Sequence, residues 1–209
     1  MDEAPGFFSV ASFVRAALPA PPARVLEVGA GSGELAATLR DAGYEVLAID
    51  PASESPDVRA AALLELDEPA GSFDAAVAVV SLHHVEPLEG SLRHLADLVR
   101  PDGVLVVDEF DVDRFDERAA RWLIDARADH EHHADPEALV GELRQHLHGL
   151  DRIRAALDPW FAFAEPVRGP YLYRWYVPAG LREPEEQLIA AGALPATGAR
   201  LVGRRRRAD

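Results

Sequence analysis

The sequence predicts an α/β protein built on a doubly wound, mostly parallel β-sheet. Three observations carry that prediction. Strand-like and helix-like segments alternate strictly from residue 24 to residue 110, the pattern of parallel strands joined by right-handed crossovers. The run "FDAAVAVVSL" is nearly all apolar, as a strand covered on both faces should be. A glycine-rich turn, "GAGSG" at 29–33, directly follows the first strand-like segment and opens a helix-like one.

The elements follow in order. Residues 7–18, "FFSVASFVRAAL", carry apolar side chains at helical spacing and read as an amphipathic helix, stopped by "PAPPA" at 19–23. "RVLEVG" is a first strand, and "GELAATLRDAG" is a helix closed by Gly43. "YEVLAID" (44–50) is a second strand ending in an acid, and a short third strand is expected near 58–61. Residues 73–82 form a fourth strand and "EGSLRHLADLVR" a helix. After the turn "PDG" (101–103), "VLVVDEF" (104–110) forms a fifth strand. From Asp113 to about Leu157 only helical patterns appear. The alternation in "YLYRWYV" (171–177) predicts a strand with one buried face, "EPEEQLIAAGAL" a helix, and "ARLVGRR" a last strand.

Composition narrows the class of protein. A chain of 209 residues, 48% hydrophobic and 27% charged, has the makings of one globular domain. No apolar run approaches the length of a membrane span, and the acidic N-terminus lacks the basic start of a signal peptide, so a cytoplasmic protein without membrane association is expected. Zero cysteines exclude disulfides and thiolate chemistry. A net charge of −15 should repel a phosphate backbone, which argues against nucleic acid as a partner. The basic run Arg204–Arg207 reads as a solvated end.

The glycine turn sits where open parallel sheets bind ligands, at the carboxyl ends of the strands. Its spacing is Gly29, Gly31, Gly33, and Glu34 occupies the place where the dinucleotide fingerprint continues. Glu27, two residues ahead of the first glycine, would repel a pyrophosphate and attract an ammonium, by roughly 1–4 kcal/mol at about 4 Å. The turn therefore suits a zwitterion better than a dinucleotide.

"LEVGAGSGEL" resembles the first motif of the class I S-adenosylmethionine-dependent methyltransferases, an acid followed by G-x-G-x-G. Asp50 at the end of the second strand, "SFDAAVAVVSLHHV" and "LRHLADLVRPDGVLVVDEF" resemble the later blocks of the small-molecule subgroup, in the right order over roughly residues 24–110. The resemblance implies a seven-stranded, Rossmann-like sheet and the cofactor S-adenosyl-L-methionine, with S-adenosyl-L-homocysteine as product. It assigns Glu27, Gly29, Ala30, Gly31 and Gly33 to the methionine part, and Asp50 with Pro51 to the ribose. Ala62 and Leu63 fall beside the adenine, with Glu65 the nearest acid. Ser81 and Leu82 fall at the methionine and the transferring methyl.

Methyl transfer from a sulfonium requires alignment first, and a base only where the acceptor must lose a proton. His83 is the candidate for that base; the alternative is that His83 and His84 orient the loop. No metal site is expected. His130, His132 and His133 are spaced i, i+2, i+3, which does not gather three ligands on one helical face. The aromatic stretch 160–178 reads as core, or as a wall of the acceptor pocket in which Arg168 or Arg174 binds an acidic group.

The expected organisation is a single domain over 1–209. It comprises an N-terminal helix and connector (1–23), a cofactor-binding half (24–112), a helical cap insertion (113–160) and C-terminal strands with a helix (161–209). The expected function is methyl transfer to an O or N atom of a small-molecule acceptor, with the N-terminal helix, including Phe7 and Phe8, folding over the cofactor. Two alternatives remain at this point: a non-catalytic relative that binds the cofactor, or a regulatory partner, without turnover, and an NAD(P)-dependent oxidoreductase.

Overall fold

The computed structural model describes residues 9–127, 135–175 and 177–207. Seven strands form one sheet: β1 (Arg24–Val28), β2 (Glu45–Ile49), β3 (Phe73–Val79), β4 (Val99–Phe110), β5 (Phe161–Phe163), β6 (Val167–Gly169) and β7 (Gly198–Arg205). Their order is β2-β1-β3-β4-β7-β5, with β6 also paired to β7. The first four strands are mutually parallel; β7 is antiparallel to β4, β5 and β6, so it alone runs against the rest.

The period-two pattern of the strands sorts the core into two layers. Leu26, Val28, Ala76, Ala78, Leu105 and Val107 face one way and pack on helices α3 (Leu88–Leu98) and α6 (Leu150–Leu157). Val25, Ala75, Val77, Val104 and Val106 face the other way. They meet Val14 of α1 (Val10–Ala17) and Leu39 of α2 (Glu34–Asp41). Helices on both faces leave only the strand ends open to a ligand.

A third cluster lies beyond the carboxyl end of β4, where Phe110, Val112 and Phe115 meet α4 (Glu117–Ala126), α5 (Pro136–His146) and the aromatic segment through Tyr171 and Leu172. The helical stretch after β4 therefore divides. Helix α6 is part of the sheet's own layer, while α4 and α5 stand over the strand ends. Helix α7 (Arg182–Ala190) precedes β7.

Two expected strands take a different form. Near 58–61 only Arg59 pairs with β2, bridging to Ile49. The chain enters this bridge from a turn closed by Val58 N–H on Ser55 O, and leaves it for a 3-10 turn at Leu63–Glu65. Among the described residues of 171–177 there is likewise no strand: Leu172–Arg174 is a 3-10 turn. The buried carboxylate of Glu185 accepts the backbone amides of Tyr171, Leu172 and Tyr173 at 2.7, 2.9 and 2.8 Å, so these amides are satisfied by a side chain and need no ladder. The aromatics then bury by turn spacing, Tyr171 and Trp175 both packing on Phe110 with ring centroids 4.9 and 4.8 Å away. Phe7, Phe8, Tyr176 and the histidines at 130, 132 and 133 lie outside the described residues.

Candidate active site

The site grows from the ends of β1 and β2. Gly29 and Ala30 N–H both donate to Ile49 O, at 2.9 and 3.0 Å, folding the glycine turn over the end of the neighbouring strand. Asp50 fixes it there: Oδ2 accepts from Gly31 N–H at 2.9 Å and Oδ1 from Ala52 N–H at 2.8 Å. Ser53 Oγ donates to Gly31 O at 2.6 Å. A Cβ on Gly29 would stand 2.2 Å from Cβ of Ser81, and the residue adopts φ +71°, so glycine alone lets β1 and the end of β3 approach this closely.

Two cavities flank this turn and share Gly29. One, of about 450 Å³, is lined by Asp50, Pro51, Ala62, Leu63, Ser81 and His84 among others. The other, of about 420 Å³, is lined by Glu27, Ala30, Gly31 and Glu34, with Val10 and Ala11 of α1 covering it. Nine of the eleven residues assigned to the cofactor by resemblance thus border one cavity or the other. The remaining two stand behind. Gly33 caps α2, and Leu82 is fully buried in the apolar layer against α3.

Glu27 is the electrostatic centre of the second cavity. It is 3% exposed, and its Oε2 is buried without a hydrogen-bond partner among the described residues. Burial pushes its carboxyl up to about 7, partly opposed by the Arg40 guanidinium. A buried carboxylate with a free oxygen is costly unless something cationic meets it. The described residues supply no hydrogen bond to that oxygen.

His83 lies elsewhere. It is buried, borders neither cavity, and its Nδ1 donates to Oε2 of Glu109 at 2.5 Å. His84 is the histidine that reaches the first cavity, and burial, followed by the charge of His83, holds its imidazole below the ordinary range. His148 ties the loop from below: its backbone N–H donates to His83 O at 3.0 Å, and its Nε2 lies 3.1 Å from Val85 O.

Sequence reasoning missed Glu109 and Asp108, although two adjacent acids in the apolar run "VLVVDEF" are a signal. In a strand they point to opposite faces, and both are buried. Asp108 takes Arg174 Nη1 at 2.6 Å and Arg200 Nε at 2.6 Å. Arg168 is paired with Asp111. The two arginines expected to hold an acidic acceptor are therefore engaged with the chain's own carboxylates. Among the described residues no helix is long and apolar enough to cross a membrane, and no group of three or more acidic or histidine side chains is placed to hold a metal ion.

This architecture, a sheet with a glycine turn between β1 and α2 and an acid ending β2, defines a class of α/β domain that binds its ligand at the strand ends. Residues 8–148 match the family described as "Methyltransferase domain", and the chain belongs to it. It is 36% identical over 100 residues to an uncharacterized methyltransferase of Mycobacterium tuberculosis, covering 42% of this chain and 40% of the relative. It is 30% identical over 152 residues to a ubiquinone biosynthesis O-methyltransferase of Rhodopseudomonas palustris, covering 62% and 58%. The chain thus spans about two fifths to three fifths of the length of these curated relatives. In fold it is similar to an S-adenosylmethionine-dependent methyltransferase from Mesorhizobium loti, with TM-score 0.61 and 19% identity over 94% of this chain and 99% of that one.

Proposed function

We propose that the protein transfers a methyl group from S-adenosyl-L-methionine to an oxygen or nitrogen atom of a small-molecule acceptor, leaving S-adenosyl-L-homocysteine. The observation that carries this reading is the Oε2 of buried Glu27, unpartnered among the described residues, at the wall of a cavity that shares Gly29 with the one lined by Asp50. A ligand ammonium offsets the burial of that carboxylate, whereas the pyrophosphate of a dinucleotide adds a like charge.

In this reading each residue has a share. Glu27 holds the amine, and the Gly29–Gly31 backbone lies along the amino-acid part. Asp50 takes the ribose hydroxyls on lone pairs left over from its bonds to Gly31 and Ala52. Ala62 and Leu63 flank the base. Glu65 is committed to Ala62 N–H at 2.9 Å and serves the backbone. Bound S-adenosyl-L-methionine supplies an electrophilic methyl group. The chain's contribution is alignment, and the buried His83 acts as an orienting group for the loop it belongs to. The relative named as an O-methyltransferase supports oxygen as the acceptor atom.

The test is to incubate the full chain with S-adenosyl-L-methionine and a panel of phenols, hydroxy acids and amines, and to measure S-adenosyl-L-homocysteine. Acceptor-dependent product is expected. Tight cofactor binding without turnover on any acceptor would instead support the non-catalytic reading.

A further inference from the structure

The turn that leaves β3 holds a residue in a conformation it does not favour. Val80 has φ +53°, in the left-handed region where a β-branched side chain is rarely found. Strand alternation would place Val80 on the α3 side with Ala76 and Ala78. The left-handed turn instead sends it to two other neighbours: it lines the first cavity and packs on the Phe110 aromatic cluster under α4 and α5. Such strain persists only where the surroundings over-determine it.

The surroundings here converge on one side chain. Oε1 of Glu109 accepts Ser81 N–H at 2.9 Å and Leu82 N–H at 2.6 Å. Its Oε2 accepts Phe110 N–H at 3.2 Å and His83 Nδ1–H at 2.5 Å. The residue is fully buried on β4, the rigid strand beside β3, and Val80 N–H is itself held by Asp108 O at 2.8 Å. Ser81 Oγ completes the fixture by donating to Val28 O at 2.8 Å, at the base of the glycine turn.

We propose that Glu109 is a positioning residue of the ligand site: it pins the amides after Val80, keeps Val80 left-handed, and thereby sets the cavity wall formed by Val80 and Ser81. Glu109 touches no ligand and acts through the turn. The inference rests on the proposed S-adenosyl-L-methionine reading for its binding readout, though not for its structural one.

Strain gives the test its specificity. Glycine at position 80 adopts the left-handed turn without penalty, so it should make the clamp less necessary. Glu109→Asp retracts the carboxylate while keeping its charge, and Glu109→Gln keeps the reach. Calorimetric titration with S-adenosyl-L-homocysteine should show E109D weaker than wild type by about tenfold or more. E109Q should be weaker by a smaller factor: its one oxygen still serves Ser81 and Leu82, while its NH2 loses the bond from Phe110 N–H. Introducing Val80→Gly into E109D should recover most of the loss, measured against V80G alone in a double-mutant cycle.

Amide exchange at Ser81 and Leu82 in the ligand-free protein gives a second readout. E109D should speed it and V80G should reduce that acceleration. Undiminished affinity in E109D, or a loss that V80G leaves untouched, overturns the proposal. If wild type does not bind S-adenosyl-L-homocysteine, the ligand reading fails and the exchange pattern alone decides the clamp.

Discussion

Asp50 Oδ2 accepts a hydrogen bond from the amide of Gly31 at 2.9 Å, tying the end of β2 to the middle of the glycine turn that follows β1. The same carboxylate borders the larger cavity. One side chain therefore shapes the turn and lines the cavity. Asp50→Asn keeps an oxygen for one backbone amide and should leave the melting temperature within a few degrees of wild type. It should still weaken S-adenosyl-L-homocysteine binding by about tenfold or more, since bonds to a charged acceptor contribute about 1.5–3 kcal/mol. Titration calorimetry alongside thermal unfolding separates the two effects.

Glu27 predicts opposite effects on stability and binding. Its carboxyl stands at about 7 in the folded chain, above the ordinary 4.5. Raised in this direction, it contributes stability that is fully present below pH 4.5 and lost as pH rises through 7. Glu27→Gln should therefore unfold like wild type near pH 4.5 and be more stable at pH 8 by about 1–3 kcal/mol. The same variant should bind S-adenosyl-L-homocysteine more weakly. In wild type, binding of the ammonium favours the carboxylate, so affinity should fall as pH drops below 7 and protons should be released on binding. Denaturant melts at the two pH values and calorimetry in buffers of different ionisation enthalpy check this.

Two glycines of one turn should respond differently to alanine. Gly29→Ala meets Ser81 in addition to a left-handed φ, and should cost about 3 kcal/mol or more. Gly31, at φ +54°, has nothing within 4 Å of an added Cβ, so Gly31→Ala should cost only about 1–2 kcal/mol. Gly31 lines the same cavity as Glu27, so the added methyl should weaken ligand binding more than it affects folding. Urea unfolding ranks the two.

Asp108 joins β4 to β7 and to the aromatic segment by accepting from both Arg200 and Arg174. Asp108→Asn removes the buried charge shared by the guanidiniums of buried Arg200 and partly buried Arg174. A loss of about 3–5 kcal/mol is expected, in line with breaking a buried ion pair from one side. Replacing Glu45, whose pair with Arg24 lies at the surface, should cost about 0–1 kcal/mol. Equal effects in thermal melts would contradict the difference in burial.

The parts of the fold that were legible in sequence are those whose signal is local. β1, β3 and β4 are apolar runs ended by turn residues, and the glycine turn with its flanking acids pointed to the ligand end. The strand expected near 58–61 is a single backbone bridge at Arg59, too short to leave a periodicity that separates bridge from strand. "YLYRWYV" misled for a different reason: alternating aromatics suit a strand, but a carboxylate twelve to fourteen residues away satisfies the amides. Glu27 and Asp50, which line the two cavities, stood out in the sequence beside the glycine turn and at a strand end, while the proposed role of Glu109 depends on β4 lying beside β3. The pair His83–His84 was visible; which of them faces the cavity was not, since a 3-10 turn at Leu82–His84 decides it.

The most direct test of the account is a calorimetric titration of the wild-type chain with S-adenosyl-L-homocysteine and, separately, with NAD. Saturable one-to-one binding of S-adenosyl-L-homocysteine, weakened by Glu27→Gln, and no binding of NAD is the predicted result. Binding of NAD in its place, or S-adenosyl-L-homocysteine affinity indifferent to Glu27→Gln, would contradict it.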